Sequence, residues 1–301
     1  MIELVNVFFN VIMPVFGIVV LGFIVGGKLQ LQAATLTRTA YFIFVPAFIF
    51  QAISQAQVQL DTALKMVCFI VLTHLIAAAI AGGIARGLRY SKEMIAAFVM
   101  IASFGNVGNY GLAMIRFRLG EQAVAPATFY FVAITICAFV ICVGAAGWAH
   151  GGSGGALIGI LKTPALWALP PALLVSSGGV TVPLMVTRIV GLLADAMIPV
   201  MLFALGLQLL EQKRVLLEFG VWAASGIRLL LVPAIAFVVA VPFGLSTLDV
   251  NAGILQAGMP TAILVSIIAR ENNIVPKFVT SVVVLSTLLS LVTLTLLMVI
   301  L

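Results

Sequence analysis

Gly105-Asn106-Val107-Gly108-Asn109-Tyr110-Gly111 interrupts an otherwise apolar stretch, and the equivalent stretch of the second half carries Gly258-Met259-Pro260-Thr261-Ala262. Both read as breaks in membrane-spanning helices. A break at bilayer depth frees backbone N–H and C=O groups, which hydrocarbon tolerates only where that backbone lines a cavity enclosed by protein. Matching breaks in two halves of one chain therefore predict the binding site of a transporter.

The composition around these breaks agrees. Hydrophobic residues make up 63% of the 301 residues, charged residues only 8%, and the mean hydropathy is +1.30. The outside of such a fold must face lipid, so the chain is expected to be an all-α polytopic membrane protein. A spanning helix takes about 20 apolar residues, and spans are predicted at 5–25, 38–56, 63–85, 94–116, 122–146, 158–177, 188–208, 216–241, 249–269 and 278–300. The first carries Glu3 with no Lys or Arg before it and holds Pro14, so it reads as a retained helix rather than a signal peptide. Cys68, Cys137 and Cys142 all fall within spans, which leaves neither a disulfide framework nor zinc-ligand spacing.

A net charge of +6 would suggest nucleic acid in a soluble protein. Here the basic residues sit at span ends. With the N-terminus outside, the inner loops hold Lys28, Arg38, Arg86, Arg89, Lys92, Lys162, Lys213, Arg214, Arg270 and Lys277, against Lys65, Arg116, Arg118 and Arg188 on the outer side. That asymmetry places both termini outside the cytoplasm, predicts a multi-pass protein of the inner (cytoplasmic) membrane, and argues against a nucleic-acid partner.

The chain also repeats itself. Pro46 and Pro199, Phe50 and Phe203, Gln55 and Gln208, Ile101 and Ile254, and Gly105 and Gly258 are each 153 positions apart. The joint is expected at Gly151-Gly152-Ser153-Gly154-Gly155, a Gly/Ser linker composition. Residues 1–150 would form the first repeat of five spans and 156–301 the second. Five is odd, so the second repeat enters from the opposite side, giving ten helices as two inverted five-helix repeats with helices 4 and 9 broken.

Val45-Pro46-Ala47-Phe48-Ile49-Phe50, Ile198 to Gly206, Gly258 to Ala262 and Leu285-Ser286-Thr287-Leu288-Leu289-Ser290 resemble the corresponding spans of the auxin efflux carrier family, in particular its short bacterial members. The resemblance covers essentially the whole chain. It implies the ten-helix inverted-repeat fold shared with bile acid:sodium symporters, with a scaffold from spans 1, 2, 6 and 7. Spans 3–5 and 8–10 would form a transport domain in which helices 4 and 9 cross. It also implies organic anions as substrates, carboxylates among them, and a homodimer. The long cytoplasmic loop of some plant members is absent from this sequence.

Candidate substrate-binding residues are Gly105, Asn106, Gly108, Asn109, Tyr110, Gly258, Met259, Pro260 and Thr261. The glycines remove bulk where two backbones approach, and the asparagines offer amide donors and acceptors. Half-helix N-termini present N–H groups and partial positive charge, which suits a carboxylate. The structural alternative is that the glycines serve packing and the asparagines satisfy broken backbone. Pro260 has no N–H and frees an upstream carbonyl that Thr261 or water could satisfy. Ionisable residues within spans usually face a cavity or a partner. Arg228 is a candidate for attracting an anion, Asp195 for accepting a coupling proton, and the two for pairing with each other. His74 is either a proton relay or a satisfied core residue. Gln51, Gln55, Gln208 and Gln256 are candidates to line the cavity.

No phosphate-cradling Gly-x-x-x-x-Gly-Lys-Ser/Thr loop, His-Glu-x-x-His motif or histidine near a nucleophile is found, so neither an enzyme nor an ATP-driven pump is expected, and no cofactor or metal. What remains is a secondary transporter for small organic anions working by alternating access, proton-coupled or a uniporter. The alternatives are a sodium-coupled symporter of the bile-acid type and a non-transporting membrane sensor. A sensor would be expected to add a soluble output domain.

Overall fold

A computed structural model describes residues 2–55, 60–150, 164–178, 180–211 and 215–301. The expected linker at 151–155, the start of the sixth span, and Lys162, Lys213 and Arg214 lie outside the described residues. Among these residues the chain is all-helical, with no strands. In chain order the helices are α1 (Ile2–Lys28), α2 (Ala33–Ser54), α3 (Asp61–Gly87), α4 (Lys92–Ser103), α5 (Leu112–Leu119), α6 (Glu121–His150), α7 (Pro164–Ser176), α8 (Leu184–Leu210), α9 (Phe219–Phe243), α10 (Thr247–Ala257), α11 (Ile263–Glu271) and α12 (Pro276–Ile300). Seven of them, α1, α2, α3, α6, α8, α9 and α12, are long and apolar enough to cross a membrane. Large apolar side chains such as Phe9, Leu192 and Val238 point outward, as a lipid-facing surface requires.

The prolines explain where these helices deform. A proline inside a helix removes one hydrogen bond and pushes its ring against the carbonyl four residues earlier. Wider π-helical turns occupy Phe8–Ile12, Ala40–Phe44 and Ile227–Leu231. They contain Asn10, Phe42 and Leu229, the residues four before Pro14, Pro46 and Pro233. The ring clash is therefore relieved by loosening one turn while the helix continues. Pro199 lies within α8 without such a turn.

Helices α1 and α8 pack most extensively. Gly22 sits on the Phe203 carbonyl and Gly206 on the Val19 carbonyl, so close that a side chain at either would strike backbone. Without water to drive association, helices in lipid gain dispersion contacts by such approach of small residues. The same helices hold Phe16 edge-on against Tyr110 of the first break, with ring centroids 5.6 Å apart.

The pairs α4 with α5 and α10 with α11 are interrupted near the expected positions, at 104–106 and 258–262, and a π-helical turn, Val107–Gly111, leads into α5. Ser91 caps α4 by accepting from the Met94 N–H, and Ser246 caps α10 by accepting from the Asp249 N–H. Each interrupted pair thus begins on a defined cap and stops midway.

Candidate functional site

The two breaks meet. Gly105 and Thr261 lie opposite each other in an isolated antiparallel bridge, in which the Asn106 N–H donates to the Pro260 carbonyl (2.7 Å) and the Ala262 N–H to the Phe104 carbonyl (2.8 Å). Backbone groups freed by breaking one helix are satisfied by those freed in the other, which hydrocarbon would not supply. Helix α12 completes the crossing: Ser286 Oγ accepts from the Thr261 N–H (3.1 Å), and Ser290 Oγ lies 3.3 Å from the Tyr110 hydroxyl.

A cavity of about 470 Å³ opens on this crossing. Gly105, Asn106, Gly108 and Asn109 line it with Ala262, Ile263 and Leu264, so the π-helical turn that leads into α5 and the beginning of α11 face the space. Arg38, Thr37 and Gln208 line the opposite wall, where the Gln208 side-chain amide donates to the Thr37 hydroxyl (2.9 Å). Glu271 also lines this cavity. The Asn106 Nδ2 is buried there without a hydrogen-bond partner. Asn109 is half-buried, and its side chain bonds to no other group among the described residues. An unpaired buried amide costs about 1–3 kcal/mol, so a ligand or water is the natural partner.

Tyr110, Gly258, Met259, Pro260 and Thr261 do not line this cavity. Tyr110 is buried against Phe16 and Ser290, and Thr261 is buried with its Oγ1 unpartnered. The carbonyl four residues before Pro260, that of Gln256, takes its hydrogen bond from the Met259 N–H (3.2 Å). The expected repair by Thr261 is therefore replaced by a local turn, which reaches the carbonyl with no side chain.

Arg228 is fully buried, and the alternative in which it pairs with Asp195 is not realised. Its guanidinium donates instead to three backbone carbonyls: Nε to Met259 (2.8 Å), Nη1 to Ala102 (2.8 Å) and Nη2 to Ala257 (3.0 Å). Carbonyls at helix ends are orphaned and carry partial negative charge, so they satisfy a cation without an acid. Gly105 makes room for this, because a Cβ there would fall on Nη2.

Asp195 is exposed to a second, larger cavity of about 690 Å³, together with Gln51, Gln55, Arg116, Glu121 and Asp249. Gln55 and Gln208, 153 positions apart, thus line different cavities. His74 is buried away from both: Nδ1 lies 2.9 Å from the Ile70 carbonyl and Nε2 lies 3.3 Å from the Tyr130 hydroxyl. A carbonyl only accepts, so Nδ1 carries a hydrogen and Nε2 is free to accept from the tyrosine. Every polar atom of the ring is then used within the core.

Several contributors carry no mark in the sequence, or only a faint one. Ser286 and Ser290 are spaced one helical turn apart in an apolar helix, which is a usable signal. Arg38 and Thr37 offer none, since a basic residue at a span end reads first as topology.

Broken helices satisfying each other beside a cavity, in a chain whose described residues are all helical and include seven helices long and apolar enough to cross a membrane, fit a membrane transport protein. Comparison with known proteins agrees. Residues 154–298 match the family profile described as "Membrane transport protein". The chain is 27% identical over 293 residues to an "Uncharacterized transporter" of Methanothermobacter thermautotrophicus, covering 94% of this chain and 95% of that one. It is 25% identical over 303 residues to a "Putative malonate transporter" of Rhizobium meliloti, covering 95% and 93%. A "Probable auxin efflux carrier component 1b" of Oryza sativa subsp. japonica is 29% identical over 115 residues, 38% of this chain and 21% of that one.

Proposed function

We propose that this chain is a secondary transporter that moves small organic anions, carboxylates foremost, across the inner membrane by alternating access. The observation that carries it is the meeting of the two breaks at a cavity where the buried Asn106 amide is left unpaired. The π-helical turn that leads into α5 and the beginning of α11 bring partial positive charge to the same wall. Arg38 adds a full charge to the cavity lining, which Glu271 of the same lining offsets, and Arg228, in no ion pair among the described residues, adds another behind the bridge. The relative named as a malonate transporter points to the same substrate class. Purified protein in proteoliposomes, offered a panel of labelled mono- and dicarboxylates under separately varied proton and sodium gradients, should accumulate or exchange at least one of them. Failure with every carboxylate would reject the proposal.

In this proposal the chain has ten spans in two inverted repeats, 1–150 and 156–301, with both termini outside. Contacts between helix ends support it. Arg118 at the end of α5 reaches Glu3 at the start of α1 (3.4 Å) and the Met298 carbonyl near the end of α12 (2.9 Å). His150 Nε2 lies 2.8 Å from the Asn272 carbonyl just beyond α11. The ends of α5 and α11 would then open on opposite sides. With Cys68, Cys137 and Cys142 replaced by serine, Gln122→Cys should react with an impermeant thiol reagent added outside, and Glu271→Cys only from the cytoplasmic side. Reaction of both from one side would overturn the inversion.

Asp195 is the proposed proton carrier, an acid midway along α8 facing the larger cavity. Asp195→Asn should remove the response of uptake to an imposed pH gradient while exchange at equal pH persists. Its melting temperature should match the parent's, because no ion pair is broken. A retained gradient response would remove Asp195 from the coupling.

A further inference from the structure

The carbonyls that bind Arg228 belong to the C-terminal ends of both interrupted helices. Ala102 is the penultimate residue of α4, Ala257 the last of α10, and Met259 lies two residues beyond it. In transporters built on broken helices, unwound carbonyls and half-helix C-termini are the groups that coordinate a coupling cation. Here a guanidinium on a third helix, α9, holds three of them at 2.8–3.0 Å with no exposure to solvent. Its planar fork holds carbonyls on two different elements with donors in fixed directions, over a wider span than a compact ammonium. Among the described residues no group of three or more His, Cys, Asp or Glu could hold a metal ion.

We propose that Arg228 is a built-in cation: its guanidinium permanently occupies the carbonyl cage at the helix crossing that a coupling ion would otherwise fill, so that the crossing is assembled without sodium. This inference rests on the transport reading and deepens it by naming the charge that replaces the ion. It assigns α9 the task of joining the breaks at 104–106 and 258–262 into one unit. It also explains why Gly105 is bare on the side facing Nη2. The carbonyl ends are neutralised by the protein's own charge, and the N-terminal ends remain available to an anion.

The test uses the full chain and two readouts. Carboxylate uptake by the parent in proteoliposomes should be the same when sodium is replaced by choline. Arg228→Ala should lower uptake by about tenfold or more, the loss expected when hydrogen bonds to a charged group are removed, and should lower the melting temperature. Millimolar guanidinium should restore both, while tetramethylammonium at equal ionic strength should restore neither, being unable to donate to carbonyls. Arg228→Lys should fall between the two, because it keeps the charge but loses the fork. Strict sodium dependence of the parent would overturn the proposal, and so would a folded Arg228→Ala protein whose melting temperature ignores guanidinium. If Arg228→Ala fails to insert, Gly105→Ala decides the matter, since its Cβ displaces Nη2 with the charge retained: a lowered melting temperature supports the cage, and parental stability overturns it. Melting is read without substrate. Failed guanidinium rescue with intact carboxylate uptake therefore counts against Arg228 alone, and absent uptake with intact rescue counts against the transport reading alone.

Discussion

Asn106→Ala and Asn109→Ala are each expected to weaken carboxylate binding by roughly one to two decades, because a hydrogen bond to a charged group is worth about 1.5–3 kcal/mol. The two side chains line the cavity with amides to spare, whereas Thr261, whose Oγ1 is also unpartnered, does not line it. The Asn106 N–H is taken by the Pro260 carbonyl, but its Nδ2 has no partner, and Asn109 has no side-chain bond among the described residues. Had the asparagines served to satisfy broken backbone, their amides would be bonded to it. The backbone instead closes on itself across the bridge between Gly105 and Thr261. Removing either amide should therefore leave insertion and melting temperature close to the parent's while binding falls. Equilibrium binding of the transported carboxylate to detergent-solubilised variants measures this directly. Unchanged affinity in both would remove the crossing from the binding site.

A second large effect is expected at the α1–α8 contact, where Gly206→Leu should lower the melting temperature strongly and reduce the monodisperse fraction. Overpacking costs about 1–3 kcal/mol where side chains can shift. Here the obstacle is the Val19 carbonyl and the Phe23 amide, which belong to a helix backbone and move only if the helices separate. Separation would forfeit the dispersion contacts that hold helices together in lipid. Gly17→Leu on α1 is the control, since nothing lies within 4 Å of a Cβ built there and the position is exposed. It should be neutral or slightly stabilising, because leucine favours helix more than glycine does. Equal melting temperatures for the two variants would mean that the close approach does not contribute to stability.

What was legible in the sequence follows from rules that act locally or through composition. Lipid-facing helices were readable because a surface without water must be apolar all along each span. The interruptions at Gly105–Gly111 and Gly258–Ala262 were readable because glycine and proline weaken a helix wherever they stand. Pro14, Pro46 and Pro233 carry a kink signal of the same kind, and each is answered by a wider turn around the carbonyl it would strike.

Partner choice was not legible, because it depends on which groups three-dimensional packing brings within hydrogen-bonding distance. Arg228 and Asp195 match by charge, yet the guanidinium is satisfied by Ala102, Ala257 and Met259 carbonyls, which every residue carries and which no sequence pattern marks. Asp195 faces the larger cavity instead. Gly258, Met259, Pro260 and Thr261 are candidates from sequence to bind substrate, and they do not line the cavity at the crossing. The antiparallel bridge turns them towards Arg228 and α12, so that Ala262, Ile263 and Leu264 take that wall. The sequence by itself determined that the chain is helical, lipid-embedded and broken in two places, since those properties are set by how each segment interacts with lipid or with its own backbone. Only the tertiary structure decided that the two breaks bond to each other, that an arginine neutralises their carbonyl ends, and that Asn106 is left with an amide to offer, because each of these is a contact between segments far apart in the chain.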